Sequence, residues 1–264
     1  MILAEPPSSP ADLHFRLFGI PVRVHPWFWI ISLFLGISGR EPADPVKTIL
    51  WVAVVFISIL VHEMGHAIVQ RRFGGRPWIT LYSLGGLSSC GDCDRSPRSQ
   101  ILISLAGPGA GFLFAAALLL AAFAAGHDIF PAGSLDRESI ERWLAAYPTG
   151  VLFFSVGWMT FGFEAFGSMI ANDIMQDLLY VNIWWGLINL LPIYPLDGGH
   201  VARELMTLHD THRGIVRSLW LSAAVAGAMA LYGISRNSIF VAIMFGYLAY
   251  ASYQTIRAYQ GYRR

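Results

Sequence analysis

The sequence predicts an all-α integral membrane protein: one membrane-embedded domain, residues 1–264, of about six transmembrane helices with a small β-hairpin or strand insertion. Three observations carry this. Apolar residues make up 55% of the chain and charged residues 13%, whereas a soluble domain carries about a quarter charged residues. The mean hydropathy is +0.52. Charge-poor runs recur along the chain, most of them reaching the roughly 20 residues that a ~30 Å hydrocarbon core requires of a helix.

The runs lie at 24–39, 48–61 (continuing past Glu63 to Gln70), 100–127, 178–196, 218–235 and 237–256. A seventh run, 143–163, is long enough but contains Pro148, Gly150, Gly157 and Gly162; these interrupt a helix, and the run reads as an interfacial or re-entrant segment. Arg16, Arg23, Arg71, Arg72, Arg76, Arg95, Arg98, Arg203, Arg213, Arg217, Arg257, Arg263 and Arg264 all fall on one side of a six-span arrangement. That side is expected to be cytoplasmic. The acidic stretch with Asp128, Asp136, Glu138 and Glu141 falls on the other. The first fifteen residues carry Glu5, Pro6, Pro7 and Pro10 and lack the basic-then-apolar order of a signal peptide. A net charge of +1 gives no reason to expect a nucleic-acid partner. The expected location is a multi-pass protein of the cell (inner) membrane.

The second run contains His62-Glu63-Met64-Gly65-His66. Helix positions i and i+4 share a face, so both imidazoles can reach one metal ion, and Glu63 can act as general base on a water beside it. Ionisable groups are costly in an apolar helix, and function is their usual explanation there. A catalytic zinc generally has three protein ligands. The candidate third is Asp197, with His200 as a rival and capping of the next helix as its structural alternative. Asp197 ends the stretch Asn189-Leu190-Leu191-Pro192-Ile193-Tyr194-Pro195-Leu196-Asp197-Gly198-Gly199-His200. Pro192 and Pro195 remove backbone donors and break the helix. Unwound backbone at membrane depth is tolerated where it is buried in protein or lines a wet cavity. Asn189 is a candidate for binding a substrate carbonyl, or else for joining helices.

HExxH within one span followed by N-x-x-P-x-x-x-x-D-G in a later one resembles the site-2 protease family of intramembrane zinc metalloproteases, of the peptidase M50 type. Pro21-Val22-Arg23-Val24-His25, Gly74, residues 79–86 (Ile-Thr-Leu-Tyr-Ser-Leu-Gly-Gly) and Ala106-Gly107-Pro108 resemble further family stretches. The resemblance implies one zinc ion per chain on His62, His66 and Asp197, Glu63 as base, and hydrolysis of peptide bonds in transmembrane or membrane-associated proteins. Two departures stand out: Gly111 occupies a position where many members have asparagine, and no segment is free to form a PDZ or CBS domain.

Residues 79–87, β-branched and aromatic between glycines, read as a short strand or hairpin. Such a strand could hold a locally unwound substrate by strand addition, with Thr80 and Tyr82 in contact with it; a loop packed beneath the bundle is the alternative. Cys90-Gly91-Asp92-Cys93 cannot complete a structural zinc site alone, and a redox pair is conceivable. His209 and His212 read as solvated loop residues, and His25 as an anchor or core hydrogen-bonder. Among rival functions, an inactive adaptor would not need Glu63 together with both histidines and the aspartate. A metal transporter would need polar residues along several spans, and the third, fifth and sixth runs offer few.

Overall fold

The computed structural model describes residues 5–38, 44–83, 85–133, 136–156, 159–208 and 210–261. Two antiparallel strands, β1 (Leu13–Leu17) and β2 (Ile20–Val24), precede a short apolar helix, α1 (Pro26–Ser38). A long helix, α2 (Pro45–Arg72), leads to the hairpin β3 (Trp78–Tyr82) and β4 (Gly85–Ser89). A second long helix follows, α3 (Pro97–Ala124). Both long helices begin on a cap and a proline. The Asp44 carboxylate accepts from Val46 and Lys47 ahead of Pro45, and the Ser96 hydroxyl accepts from Ser99 ahead of Pro97. Arg71 and Arg72 close α2, where a cation complements the helix dipole.

The chain then forms β5 (Ile129–Pro131), α4 (Arg137–Ala146), β6 (Val151–Val156) and β7 (Met159–Glu164). Four helices complete it: α5 (Met169–Asn189), α6 (Asp197–Thr207), α7 (Thr211–Ser235) and α8 (Ile239–Gly261). Among the described residues four helices are long and apolar enough to cross a membrane: Pro45–Arg72, Pro97–Ala124, Arg213–Ser235 and Ile239–Tyr259. Large apolar side chains such as Ile49, Leu113, Leu120, Leu231 and Ile243 stand on their outer faces, as lipid-facing helices require.

The strand content exceeds the single hairpin expected. One sheet has the order β1-β2-β3-β4 and a second the order β5-β7-β6. In the first, β2 and β3 pair in parallel, Val22 opposite Ile79 and Val24 opposite Leu81. These residues alternate with polar ones, so one face of the sheet is apolar. That face packs on α2 in a core of Ile20, Val22, Phe28, Ile59, Met64 and Ile79. The expected fourth span begins earlier than its apolar run, because Asp173 and Asp177 interrupt the hydropathy without interrupting the helix. It ends at Asn189, and the segment with Pro192 and Pro195 is unwound. Run 143–163 is no spanning helix: it supplies the end of α4 and the β6–β7 hairpin. Glu164, at the end of β7, accepts a hydrogen bond from the Thr149 hydroxyl at 3.0 Å.

Candidate metal centre

The α2 helix places His62, Glu63 and His66 on its buried side. Facing them, α3 crosses at two glycines. A Cβ on Gly65 would strike the Ala106 carbonyl, and one on Gly107 would strike the His66 imidazole while coming within 2.8 Å of His62 Nε2. The Ala106-Gly107-Pro108 motif therefore has a steric cause: α3 must pass the histidines without a side chain between.

The third component arrives from the unwound segment after α5. Cβ atoms on Gly198 and Gly199 would collide with the backbone of Leu190 and Ile193, so the first turn of α6 lies tightly on the bend that Pro192 and Pro195 create. This aims Asp197 at the histidines rather than along its own helix. Leu196 occupies the N-cap position and no side chain caps α6, which removes the capping alternative.

Asp197 Oδ2 lies 3.1 Å from His62 Nε2, and Oδ1 lies 3.3 Å from His66 Nε2. The two Nε2 atoms are 3.2 Å apart. His66 Nδ1 donates to the Ile103 carbonyl at 2.7 Å, which leaves its Nε2 with a lone pair, as in metal-ligating histidines. Asp197 Oδ2 is buried without a hydrogen-bond donor in bonding geometry. Each Nε2 thus faces a different oxygen of the Asp197 carboxylate at 3.1–3.3 Å, and one ligand atom from each of the three residues lies within 4.8 Å of the other two. The three side chains fit a single metal ion, and they form a group able to hold one.

Glu63, 5% exposed, lies under β4. A Cβ on Gly86 would strike Glu63 Cγ and come within 2.7 Å of Oε1. The strand is also tied to α2 at Gln70, whose amide donates to the Ser88 carbonyl (3.1 Å) and accepts from the Ser88 hydroxyl (2.8 Å). Gly86, Gln70 and Ser88 were not singled out from sequence. The Gly-Gly dipeptide was the visible signal, read there as a strand boundary.

The remaining site candidates divide. Tyr82 lies at the end of β3, half-buried; burial first and then the charge of Glu63 push its phenol above the usual range. Thr80 is fully buried, with its hydroxyl donating to Glu5 at 2.6 Å, and it faces away from the metal group. Asn189 is buried and donates to the Trp185 carbonyl. His200 stands against the Tyr194 ring, with centroids 5.1 Å apart, outside the three-ligand group. His25 is buried, with Nδ1 accepting from the Trp27 amide. His209 and the side chain of His212 lie outside the described residues.

Residues 50–231, more than half of the chain, match the model of peptidase family M50. The chain belongs to peptidase family M50. Among curated relatives, the zinc metalloprotease MJ0392 of Methanocaldococcus jannaschii is 22% identical over 223 residues, covering 82% of this chain and 51% of its own. Rip3 of Mycobacterium tuberculosis is 28% identical over 229 residues, covering 80% of this chain and 47% of its own. The chain thus spans about half the length of the curated relatives it matches. Among solved structures, the site-2 protease from Methanocaldococcus jannaschii aligns with a TM-score of 0.56 at 19% identity, covering 93% of this chain and 95% of that one. The fold of this M50 protein is therefore that of a multi-pass integral membrane protein.

Proposed function

We propose that this chain is an intramembrane zinc metalloprotease of the site-2 type, hydrolysing peptide bonds in transmembrane or membrane-associated proteins. The observation that carries the reading is the convergence of His62, His66 and Asp197 from two separate helices onto one point, with Glu63 beside them. His62 Nε2, His66 Nε2 and the Asp197 carboxylate hold the zinc. When bound, zinc supplies Lewis acidity, lowering the pKa of water toward ~7 and polarising a carbonyl.

Glu63 takes the proton from the attacking water and returns it to the leaving amine. Asn189, one of whose amide hydrogens is already given to Trp185, offers the other to the substrate carbonyl. In this reading α1 and α5 supply two further spans, making six, and the arginine-rich end that carries the metal group faces the cytoplasm.

Substrate is held by strand addition at β4. Within the expected segment 79–87, β3 pairs with β2 on one side and β4 on the other, so the peptide groups of Thr80 and Tyr82 are not free. β4 is an edge strand, and of the two edges, β1 and β4, it is the one that lies over Glu63. Its two-residue connection to β3, with Ser83 at φ 49°, makes Tyr82 and Gly85 a bonded pair and turns the Gly86 peptide outward. A substrate strand there lies alongside Glu63 with its peptide bond already unwound.

The deciding experiment compares purified, reconstituted wild type with Glu63→Gln on a membrane-protein substrate. The variant is expected to keep its zinc and lose turnover by ~10²–10⁴-fold. Near-wild-type cleavage would remove Glu63 from the mechanism, and no cleavage by wild type of any membrane-embedded substrate would favour an inactive, client-binding role.

A further inference from the structure

Cys90 follows β4 directly and is joined to Cys93 by a disulfide. The pair is fitted into its surroundings. Gly75, just beyond the end of α2, lies against both sulfurs, and a Cβ there would strike each of them. The Gly75 amide donates to the Gln70 carbonyl at 3.1 Å, and Cys93 Sγ stands 3.7 Å from the same oxygen. The Asp92 carboxylate, between the cysteines, accepts from the Arg76 amide at 2.9 Å. Gln70 is also the residue whose side chain brackets Ser88 of β4. The last turn of α2, the strand beside Glu63 and the cysteine turn are thus one latched unit.

Both cysteines are reachable from solvent. With Gln70, Arg95, Gln100 and Glu204 they line a cavity of about 250 Å³, and both cysteines are partly exposed. Reactive cysteines sit in such partly exposed places beside a cation. Arg71, Arg72, Arg76, Arg95 and Arg98 flank the segment, marking its side as cytoplasmic. Disulfides on that side are rare and, when present, usually transient, catalytic or redox-sensing.

We propose that Cys90 and Cys93 are a redox-active pair whose state sets how firmly β4 is held against α2, and so how well the protein retains a substrate strand. This rests on the reading of β4 as the substrate-holding edge. In the oxidised protein the bonded sulfurs fit the space over Gly75 and the latch is closed. Two separate thiols need more room than a bonded pair, so reduction loosens the turn and with it the end of β4. Closure balances as thiol–disulfide exchange. One cysteine thiolate attacks a small disulfide of the glutathione class and releases one thiol; the second cysteine then displaces the other. Two electrons pass to the small disulfide, which leaves as two thiols carrying the two protons.

The test uses the full-length protein in proteoliposomes, equilibrated with reduced or oxidised glutathione. Alkylation followed by intact mass counts the thiols, amide hydrogen exchange reads residues 85–89, and metal content and steady-state kinetics are measured in both buffers. Reduction should yield two alkylatable thiols, speed exchange in β4 and raise KM about fivefold or more, with kcat and zinc unchanged. Cys90→Ser/Cys93→Ser should match the reduced protein in both buffers, and reduced, alkylated wild type serves the same purpose if that variant folds poorly. Identical β4 exchange in the two states, or a pair that stays reduced in oxidised glutathione, would overturn the proposal. If no substrate is cut in either state, the proteolytic reading fails, while the exchange comparison still decides the latch.

Discussion

The four-stranded β1–β4 sheet, with one parallel pair, and the three-stranded, wholly antiparallel β5–β7 sheet meet the helices differently. The first packs along α2, through Ile59, Leu60, Met64 and Ala67, and brings the backbone of Gly86 onto Glu63. The second packs on the later half of α3 and the early half of α5, through Ala115, Ala122, Met175 and Leu179, the ends of those helices remote from the metal group. Its own face is closed by stacked rings: Phe130 lies 4.1 Å from Trp143 and 5.2 Å from Tyr147. One sheet presents backbone to a charged group, and the other presents aromatic side chains to one another. The chemistry of a small sheet at a membrane helix follows from which of these it offers.

The comparison breaks most visibly at the metal group. His62→Ala, His66→Ala and Asp197→Ala should each lower bound zinc by more than the ~10–100-fold effect of changing an outer-shell partner, and should take activity to background. Phe130→Leu in the other sheet should leave zinc content intact. Elemental analysis of the purified proteins checks this. Zinc retained by Asp197→Ala but lost by His200→Ala would transfer the third ligand to His200.

A smaller but sharper contrast sets one glycine against another. Gly86→Ala places a methyl group against the Glu63 carboxylate, and a displacement of ~1 Å there should lower kcat/KM by about 10²-fold. Gly162→Ala in β7 places its methyl 2.7 Å from Phe130 Cζ, an overpacking that should cost about 1–3 kcal/mol of stability. Its activity per folded molecule should be unchanged. If the two variants lose activity equally, β4 has no special relation to the base.

The histidine pair, the break at Pro192 and the hairpin after α2 were legible because each depends on local signals: a four-residue spacing, a missing donor, and β-branched residues between glycines. The pairing of β2 with β3 was not, since it joins strands with α1 and α2 between them, and nothing local in Ile-Pro-Val-Arg-Val names its partner. The β6–β7 hairpin was hidden because a continuous apolar run has no period to separate strand from helix. Thr80 was misdirected for a related reason. Alternation shows that Thr80 and Ile79 face opposite ways, but only the packed sheet shows that Ile79 takes the α2 side and Thr80 the Glu5 side. Gly86 carried its signal as an absence of side chain, interpretable only once Glu63 is seen against it.

Strand addition at β4 predicts an alternating pattern in the substrate. A peptide-based substrate N-methylated at single positions loses one backbone donor at a time. Positions whose N–H faces β4 should be cut several-fold more slowly, in line with the ~0.5–1.5 kcal/mol of a typical hydrogen bond, and their neighbours should be tolerated. A flat profile would mean the substrate is held by side chains or by the helices instead.

The smallest effect is expected at the surface of the β5–β7 sheet. Thr149→Ala removes the hydroxyl that donates to Glu164 at 3.0 Å, an exposed contact that water can replace. Stability should change by no more than about 0.5 kcal/mol, and zinc content and cleavage should be indistinguishable from wild type. Thermal unfolding and turnover, measured on the same preparation, decide it. A loss of activity without loss of stability would show that the β5–β7 sheet communicates with the metal end after all. The path would then run through α5, where Met175 and Leu179 pack against this sheet and share the helix with Asn189, or through α3, which carries Ala115 and Ala122 at the sheet and Gly107 at the histidines.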